Sequence, residues 1–142
     1  MSPEKLKYFV AAFSISICFA YLAVAQQLPP ATLKPVVRSE VRTQVWRTFD
    51  LNPDCSTAGE VTITVTKQPT KGTLEFEENL GFSTYPQQQF PQYFHCNTQP
   101  TSGTSAFYTS AAGFKGTDNF EVEATYSARG TSRSVRFHVT VK

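Results

Sequence analysis

Phe120-Glu-Val-Glu-Ala-Thr-Tyr126 and Val135-Arg-Phe-His-Val-Thr-Val141 decide the fold class. Each stretch alternates apolar and polar residues with a period of two, the pattern of a strand with one face buried. Between them lies Ser-Ala-Arg-Gly-Thr-Ser-Arg-Ser, residues 127–134, a polar run holding Gly130. Two alternating runs around a polar, glycine-bearing loop predict an antiparallel hairpin. The predicted register sets Val122 against Val139 and Ala124 against Phe137 on the buried face. Glu123 then falls opposite His138 and close to Arg136, pairs worth at most about 1 kcal/mol each.

Working outward, Val61-Thr-Ile-Thr-Val-Thr66 is a strict alternation of β-branched residues, with Val61, Ile63 and Val65 predicted inward. Glu40–Phe49 reads as an earlier strand with Val41, Thr43 and Val45 on one face, ended by the turn-rich stretch Leu51–Gly59. Pro69–Gly72 predicts a turn. Leu74 and Phe76 alternate with Thr73, Glu75 and Glu77 in a short strand. Asn79–Gln92 is irregular, Tyr93–Cys96 is strand-like, Asn97–Thr104 carries turn chemistry, and Ala106–Thr109 is a short strand. The sum is an all-β chain of about seven strands in a two-sheet sandwich over residues 40–142, with an insertion at 79–104. Residues 26–39 hold Pro29, Pro30 and Pro35 without periodicity and read as a Pro-rich linker or extended arm.

The chain opens with Lys5 and Lys7, continues with an apolar run from Tyr8 to Leu22, and reaches Ala23-Val24-Ala25. A basic start, an apolar stretch and a small-x-small exit form a secretion signal, so residues 1–25 are expected to be cleaved after Ala25. A membrane span needs about 20 apolar residues, more than this run supplies unless it continues through Ala25. Acylation at Cys18 is disfavoured by Ile17, where a small residue is needed. The expected location is secreted or periplasmic, with membrane contact only through an uncleaved signal segment. Removing residues 1–25 leaves two cysteines, Cys55 and Cys96, and an exported small domain favours their pairing over two buried thiols. A bridge closing that loop contributes about 4 kcal/mol, against about 5–15 kcal/mol for a whole domain.

Without the signal, 11 basic side chains face 10 acidic ones, and no basic stripe points to nucleic acid. Met1 is the only methionine, and His95 and His138 are the only histidines, a poor set for metal handling. No cofactor is implied.

The segment Tyr108-Thr-Ser-Ala-Ala-Gly-Phe114-Lys-Gly116-Thr-Asp118-Asn-Phe120-Glu-Val122 resembles a signature of bacterial Ig-like, cadherin-like repeat domains. Pro69-Thr-Lys-Gly72-Thr-Leu74 resembles the element before it, and the alternating valines from Val135 to Val141 resemble its close. The likeness runs from about Val61 to Val141. It implies a sandwich in which Gly113, Phe114, Gly116, Asp118 and Phe120 build a structural corner: glycines for positive φ, Asp118 bonded to backbone, rings plugging the end. Ser110 stands where the family has proline, and the 79–104 insertion with Cys96 is foreign to the compact repeat. The acidic clusters of calcium-binding cadherins are missing. Trp46 precedes Cys55, unlike the tryptophan set between two core cysteines in antibody domains, so the bridge is expected to tie a loop to the insertion.

No G-x-S-x-G occurs, and neither histidine has a distinctive context, so no catalytic residue is assigned. Glu75, Glu77 and Glu78 suggest paired carboxylates, but Glu75 and Glu77 share the polar face of a strand and read as a solvated surface. Cys55, Cys96 and His95 fall short of the four ligands of a structural zinc site, so no metal is assigned. Phe82, Tyr85, Phe90, Tyr93 and Phe94 fall within 13 residues, among glutamines and prolines. Such rings stack on sugars or anchor protein partners, or else cover an open side of the sandwich. The reading is a non-enzymatic exported module with a binding or structural role, its partner an envelope protein or a glycan. The other reading is a small secreted enzyme or enzyme inhibitor acting through the 79–104 loop.

Overall fold

The computed structural model describes residues 30–142. The expected signal, residues 1–25, lies outside them. The strands are β1 (Ala31–Leu33), β2 (Val36–Val37), β3 (Thr43–Thr48), β4 (Val61–Lys67), β5 (Gly72–Phe82), β6 (Pro100–Ser110), β7 (Gly116–Tyr126) and β8 (Thr131–Val141). A short 3-10 helix covers Phe94–Thr98. One sheet runs β1-β8-β7-β4, with β2 also on β8; the other runs β3-β6-β5. Among the described residues no helix is long and apolar enough to cross a membrane.

The inner faces meet in a core of Tyr108, Phe120, Val122, Val135, Phe137 and Val139, with Val37 and Val141 beside them. Phe120 stacks between Tyr108 at 5.8 Å and Phe137 at 4.5 Å, centroid to centroid. Trp46 meets Phe137 edge-on at 6.1 Å, joining the two sheets. Ile63 and Val65 pack against this cluster from β4.

The closing hairpin forms, but its register differs from the expected one by four residues. Val122 faces Val135, Phe120 faces Phe137, and Ala124 faces Arg133. The cause is the turn. It is confined to Ser127–Gly130, closed by Gly130 N–H donating to the Tyr126 carbonyl at 2.9 Å, so strand begins at once with polar Thr131–Ser134. Gly130 takes φ +59°, which that tight a turn needs. An even shift leaves each residue on its expected face but changes the outer pairs. Glu121 takes Arg136 at 2.7 Å, and His138 Nδ1 meets Asn119 Oδ1 at 2.6 Å.

Two other stretches differ. β3 is bulged between Gln44 and Trp46, so the expected Val41/Thr43/Val45 alternation breaks and Trp46 turns to the core. β5 and β6 pair without interruption from Gly72–Ser110 to Phe82–Pro100. Residues 79–82 and 100–104, read as insertion, are therefore strand, and the irregular connection shrinks to 83–99. Tyr93–Cys96 is not strand: Phe94–Thr98 closes into the 3-10 helix.

Residues 31–37, within the segment read as linker or arm, run parallel to β8 with Leu33 beside Phe137 and Val37 beside Val141. Lys142 N–H donates to the Val37 carbonyl, and Ser39 N–H donates to the Lys142 carbonyl, both at 2.9 Å.

Candidate binding surface on the strand connection

The 83–99 connection is ordered by side chains more than by ladder bonds. Asn97 acts as a two-way clamp: its Oδ1 accepts from Tyr85 N–H at 2.9 Å and Ser83 Oγ at 2.8 Å, and its Nδ2 donates to the Tyr85 carbonyl at 2.9 Å. The Cys55–Cys96 disulfide then ties the 3-10 helix to the turn after β3. Cys55 adopts φ +68° there, a left-handed backbone that a non-glycine residue holds only when its surroundings fix it.

The clamp and the bridge place Tyr85 at the hub of a ring cluster. Its ring lies 5.0 Å from Phe49, 5.7 Å from Phe90 and 5.0 Å from Tyr93, the last pair stacked. Burial raises the Tyr85 phenol pKa. The Arg129 guanidinium sits 5.8 Å from the Tyr93 ring, donates from Nε to Asp50 Oδ1 at 2.6 Å, and donates from Nη2 to the Leu51 carbonyl at 3.1 Å. Its interactions with Tyr93 and Asp50 raise its pKa. The β7–β8 turn is thereby fastened to the connection.

The five rings singled out in the sequence separate into two groups. Tyr85 and Tyr93 are half-buried in the cluster. Phe82, Phe90 and Phe94 are exposed at 57%, 41% and 42%, and Leu80, which shares a face of β5 with Phe82, is exposed at 74%. Phe82 belongs to the strand end and not to the loop. The result is a set of exposed apolar side chains, Leu80 and Phe82 at the end of β5 and Phe90 and Phe94 on the connection that follows it, a connection held by a disulfide, an amide clamp and an Arg–Asp pair. Of the exposed rings, Phe90 is held against Tyr85 at 5.7 Å, and a ring fixed in this way loses little conformational entropy when a partner covers it.

A cleft of about 340 Å³ adjoins the cluster, with Phe49, Asp50, Glu60, Val61, Glu78 and Thr104 among its lining residues. Glu78 lies on this inner side of β5, away from Glu75 and Glu77. Those two receive Arg42 from Nε at 2.7 Å and Nη2 at 2.5 Å, and the guanidinium lies 3.6 Å over the Phe107 ring. No family model matches the chain, and no curated protein is detectably similar to it.

The corner residues stand together at the far end. Asp118 is 2% exposed and accepts from Thr70 N–H at 3.0 Å, Lys71 N–H at 2.9 Å, Tyr108 Oη at 3.0 Å and Asn119 N–H at 2.9 Å. Burial works to raise its pKa, but these donors prevail and hold the carboxyl below its usual range. Gly113 at φ +67° and Gly116 at φ +135° turn the chain into β7, with the Phe114 ring packed against the core and against Gly116.

Sequence reasoning overlooked the residues that organise this region across long separations. Asn97, Asp50, Arg129 and Phe49 carry no motif. Arg47 is another: it donates to Ser105 Oγ at 3.0 Å, to the Asn79 carbonyl at 2.9 Å and the Thr101 carbonyl at 2.7 Å, and to Asn79 Oδ1. It braces the outer face of the β5–β6 extension, and burial lowers its pKa.

Proposed function

We propose that this chain is an exported, non-enzymatic β-sandwich module that recognises an envelope protein or a glycan through Phe82, Phe90 and Phe94. The observation that carries the reading is the rigid mounting of exposed rings on the 83–99 connection. A structural role would not need Phe90 and Phe94 left uncovered on a connection fastened by the disulfide and the Asn97 clamp, with Phe82 uncovered at the strand end that leads into it. Export is supported by the basic-apolar-small pattern of residues 1–25 together with a disulfide in a small domain. The Ig-like, cadherin-like reading is supported by strand order: a first strand parallel to the last, the sheet β1-β8-β7-β4, and the facing sheet β3-β6-β5, an arrangement of Greek-key type.

The test is a binding screen of the chain against envelope proteins and a glycan array, with Phe90→Ala/Phe94→Ala in parallel. Both rings are exposed, so the variant is expected to keep the wild-type circular dichroism spectrum. Binding by the wild type that falls at least about tenfold in the variant supports the reading, since exposed aromatic anchors carry about 1–2 kcal/mol or more each. Binding unchanged in the variant moves the site elsewhere. No binding by either folded form, or turnover of a substrate, overturns it.

A further inference from the structure

The end of the connection that carries the disulfide brings three soft ligand atoms together. Cys55 Sγ, Cys96 Sγ and a ring nitrogen of His95 all lie within 4.8 Å of one another. His95 Nε2 is 3.8 Å from Cys96 Sγ. Two ligands on one tetrahedral zinc, with Zn–S about 2.3 Å and Zn–N about 2.0–2.1 Å, lie roughly 3.5 Å apart. The imidazole is thus close to a ligand's distance from the sulfur already.

While the two sulfurs are bonded to each other neither is a thiolate, and the thiolate is the form that binds metal. We propose that the Cys55–Cys96 disulfide is a redox lock on a metal site: after reduction by a dithiol, Cys55, Cys96 and His95 hold one thiophilic cation of the zinc type as an open three-ligand site, solvent taking the fourth position that a closed structural zinc site would fill with protein. Two thiolates and one imidazole suit such a cation better than a hard one.

The unlocking step balances. Cys96 is fully buried and Cys55 partly exposed, so the reductant's thiolate attacks Cys55 Sγ. A mixed disulfide forms there, the Cys55–Cys96 bond breaks, and Cys96 leaves as a thiolate beside His95. The reductant's second thiol then attacks its own sulfur in the mixed disulfide, freeing Cys55. The reductant departs as its own disulfide, having delivered two electrons and two protons, and the protons leave as the metal binds.

Both arms of the site are held by bonds independent of the sulfurs. Cys55 sits in a turn where its N–H donates to the Asn52 carbonyl at 2.9 Å and Asn52 N–H donates to the Ser56 carbonyl at 2.8 Å. His95 and Cys96 ride on the 3-10 helix, fixed by Cys96 N–H to the Tyr93 carbonyl at 2.9 Å and by the Asn97 clamp. The arms are also tied to each other, by the Phe49–Tyr85 ring contact at 5.0 Å and by Arg129, which bonds Asp50 and Leu51 and lies 5.8 Å from the Tyr93 ring, so reduction leaves the three side chains near one another.

The experiment uses the chain carrying Cys18→Ser, so that Cys55 and Cys96 supply the only thiols. It is titrated with Co2+ as a spectroscopic stand-in and then with Zn2+, oxidised and after dithiol reduction and removal of the reductant. The reduced form is expected to give a sulfur-to-cobalt charge-transfer band that Zn2+ abolishes, and the oxidised form none. His95→Ala should weaken Zn2+ binding by at least about tenfold, the low end of what even an outer-shell partner is worth, while His138→Ala leaves it unchanged. Circular dichroism follows the fold throughout. The proposal is overturned if the reduced chain gives no band, if His95→Ala binds as tightly as its parent, if the oxidised chain binds equally well, or if reduction unfolds the sheets and Zn2+ fails to restore them.

Discussion

Asp118 shows how much one residue settles at the corner. Its carboxylate satisfies three backbone N–H groups and the buried Tyr108 hydroxyl. Replacing it with alanine leaves Thr70 N–H, Lys71 N–H and Tyr108 Oη without their acceptor, so Asp118→Ala is expected to cost about 3 kcal/mol or more. Tyr108→Phe removes one donor and leaves the others in place, and should cost nearer about 1 kcal/mol. Urea unfolding of the three chains checks both values. The pH dependence has a definite sign. Because the folded-state pKa is depressed, the contribution of Asp118 is fully present above the ordinary carboxylate range. It is lost as pH falls through that range and then through the lower folded value. The wild-type unfolding midpoint should therefore drop between about pH 5 and 2 more steeply than that of Asp118→Asn, which cannot titrate. Asp118 was legible because it sits in a local motif with Gly116 and Phe120. Asp50 and Arg129 were not, since the pair is 79 residues apart and neither has a neighbourhood that announces it.

At the level of elements, strand identity was readable and strand length was not. The alternation in Val61–Thr66 and Phe120–Tyr126 marks a buried face directly. Thr131–Ser134 carries no apolar residue, yet it is strand, because β7 offers it a ladder and Ser127–Gly130 can turn tightly enough to reach it. The same cause lengthened β5 and β6: Asn79, Gly81 and Gly103 have weak strand propensity, and Arg47, bonding the Asn79 and Thr101 carbonyls from β3, compensates. Arg47→Ala should accordingly loosen the extension. Amide exchange is expected to rise at 79–82 and 100–104 while β7 and β8 keep their protection, and stability should fall by about 1–3 kcal/mol. The aromatic connection was legible as composition only. Which rings are hub and which are exposed depended on Asn97, whose clamp spans 12 residues. Asn97→Ala should release Tyr85 at a cost of about 1–2 kcal/mol, seen as increased exchange across 83–99 and weakened near-ultraviolet circular dichroism.

For the whole molecule, the sheet orders among the described residues leave β1 (with β2) and β4 as the edges of one sheet and β3 and β5 as the edges of the other, of which β4 and β5 are the two longest. They are managed differently. β5 carries Glu75, Glu77 and Glu78 along its length, and charged side chains on an edge discourage pairing with another chain. β4 has none between Val61 and Thr66; Lys67, at the bulge, is its first charge. Six uncharged, β-branched residues without proline, on an edge that pairs with no other strand among the described residues, match the sequence signature of intermolecular strand pairing. The liability was visible in the alternation of Val61–Thr66, but only the sheet order reveals that this strand is an edge. A single charge should correct it. Thr64 is exposed and lies opposite Glu123 in the β4–β7 register, so Thr64→Lys adds a cationic gatekeeper and a cross-strand partner of opposite sign, worth about 0.2–1 kcal/mol. The variant is expected to unfold at or slightly above the wild-type midpoint while its concentration-dependent light scattering on mild heating rises several-fold more slowly. Equal scattering rates for the two chains at matched stability would place the self-association surface elsewhere, with the exposed apolar side chains of Leu80, Phe82, Phe90 and Phe94 as the next ones to charge.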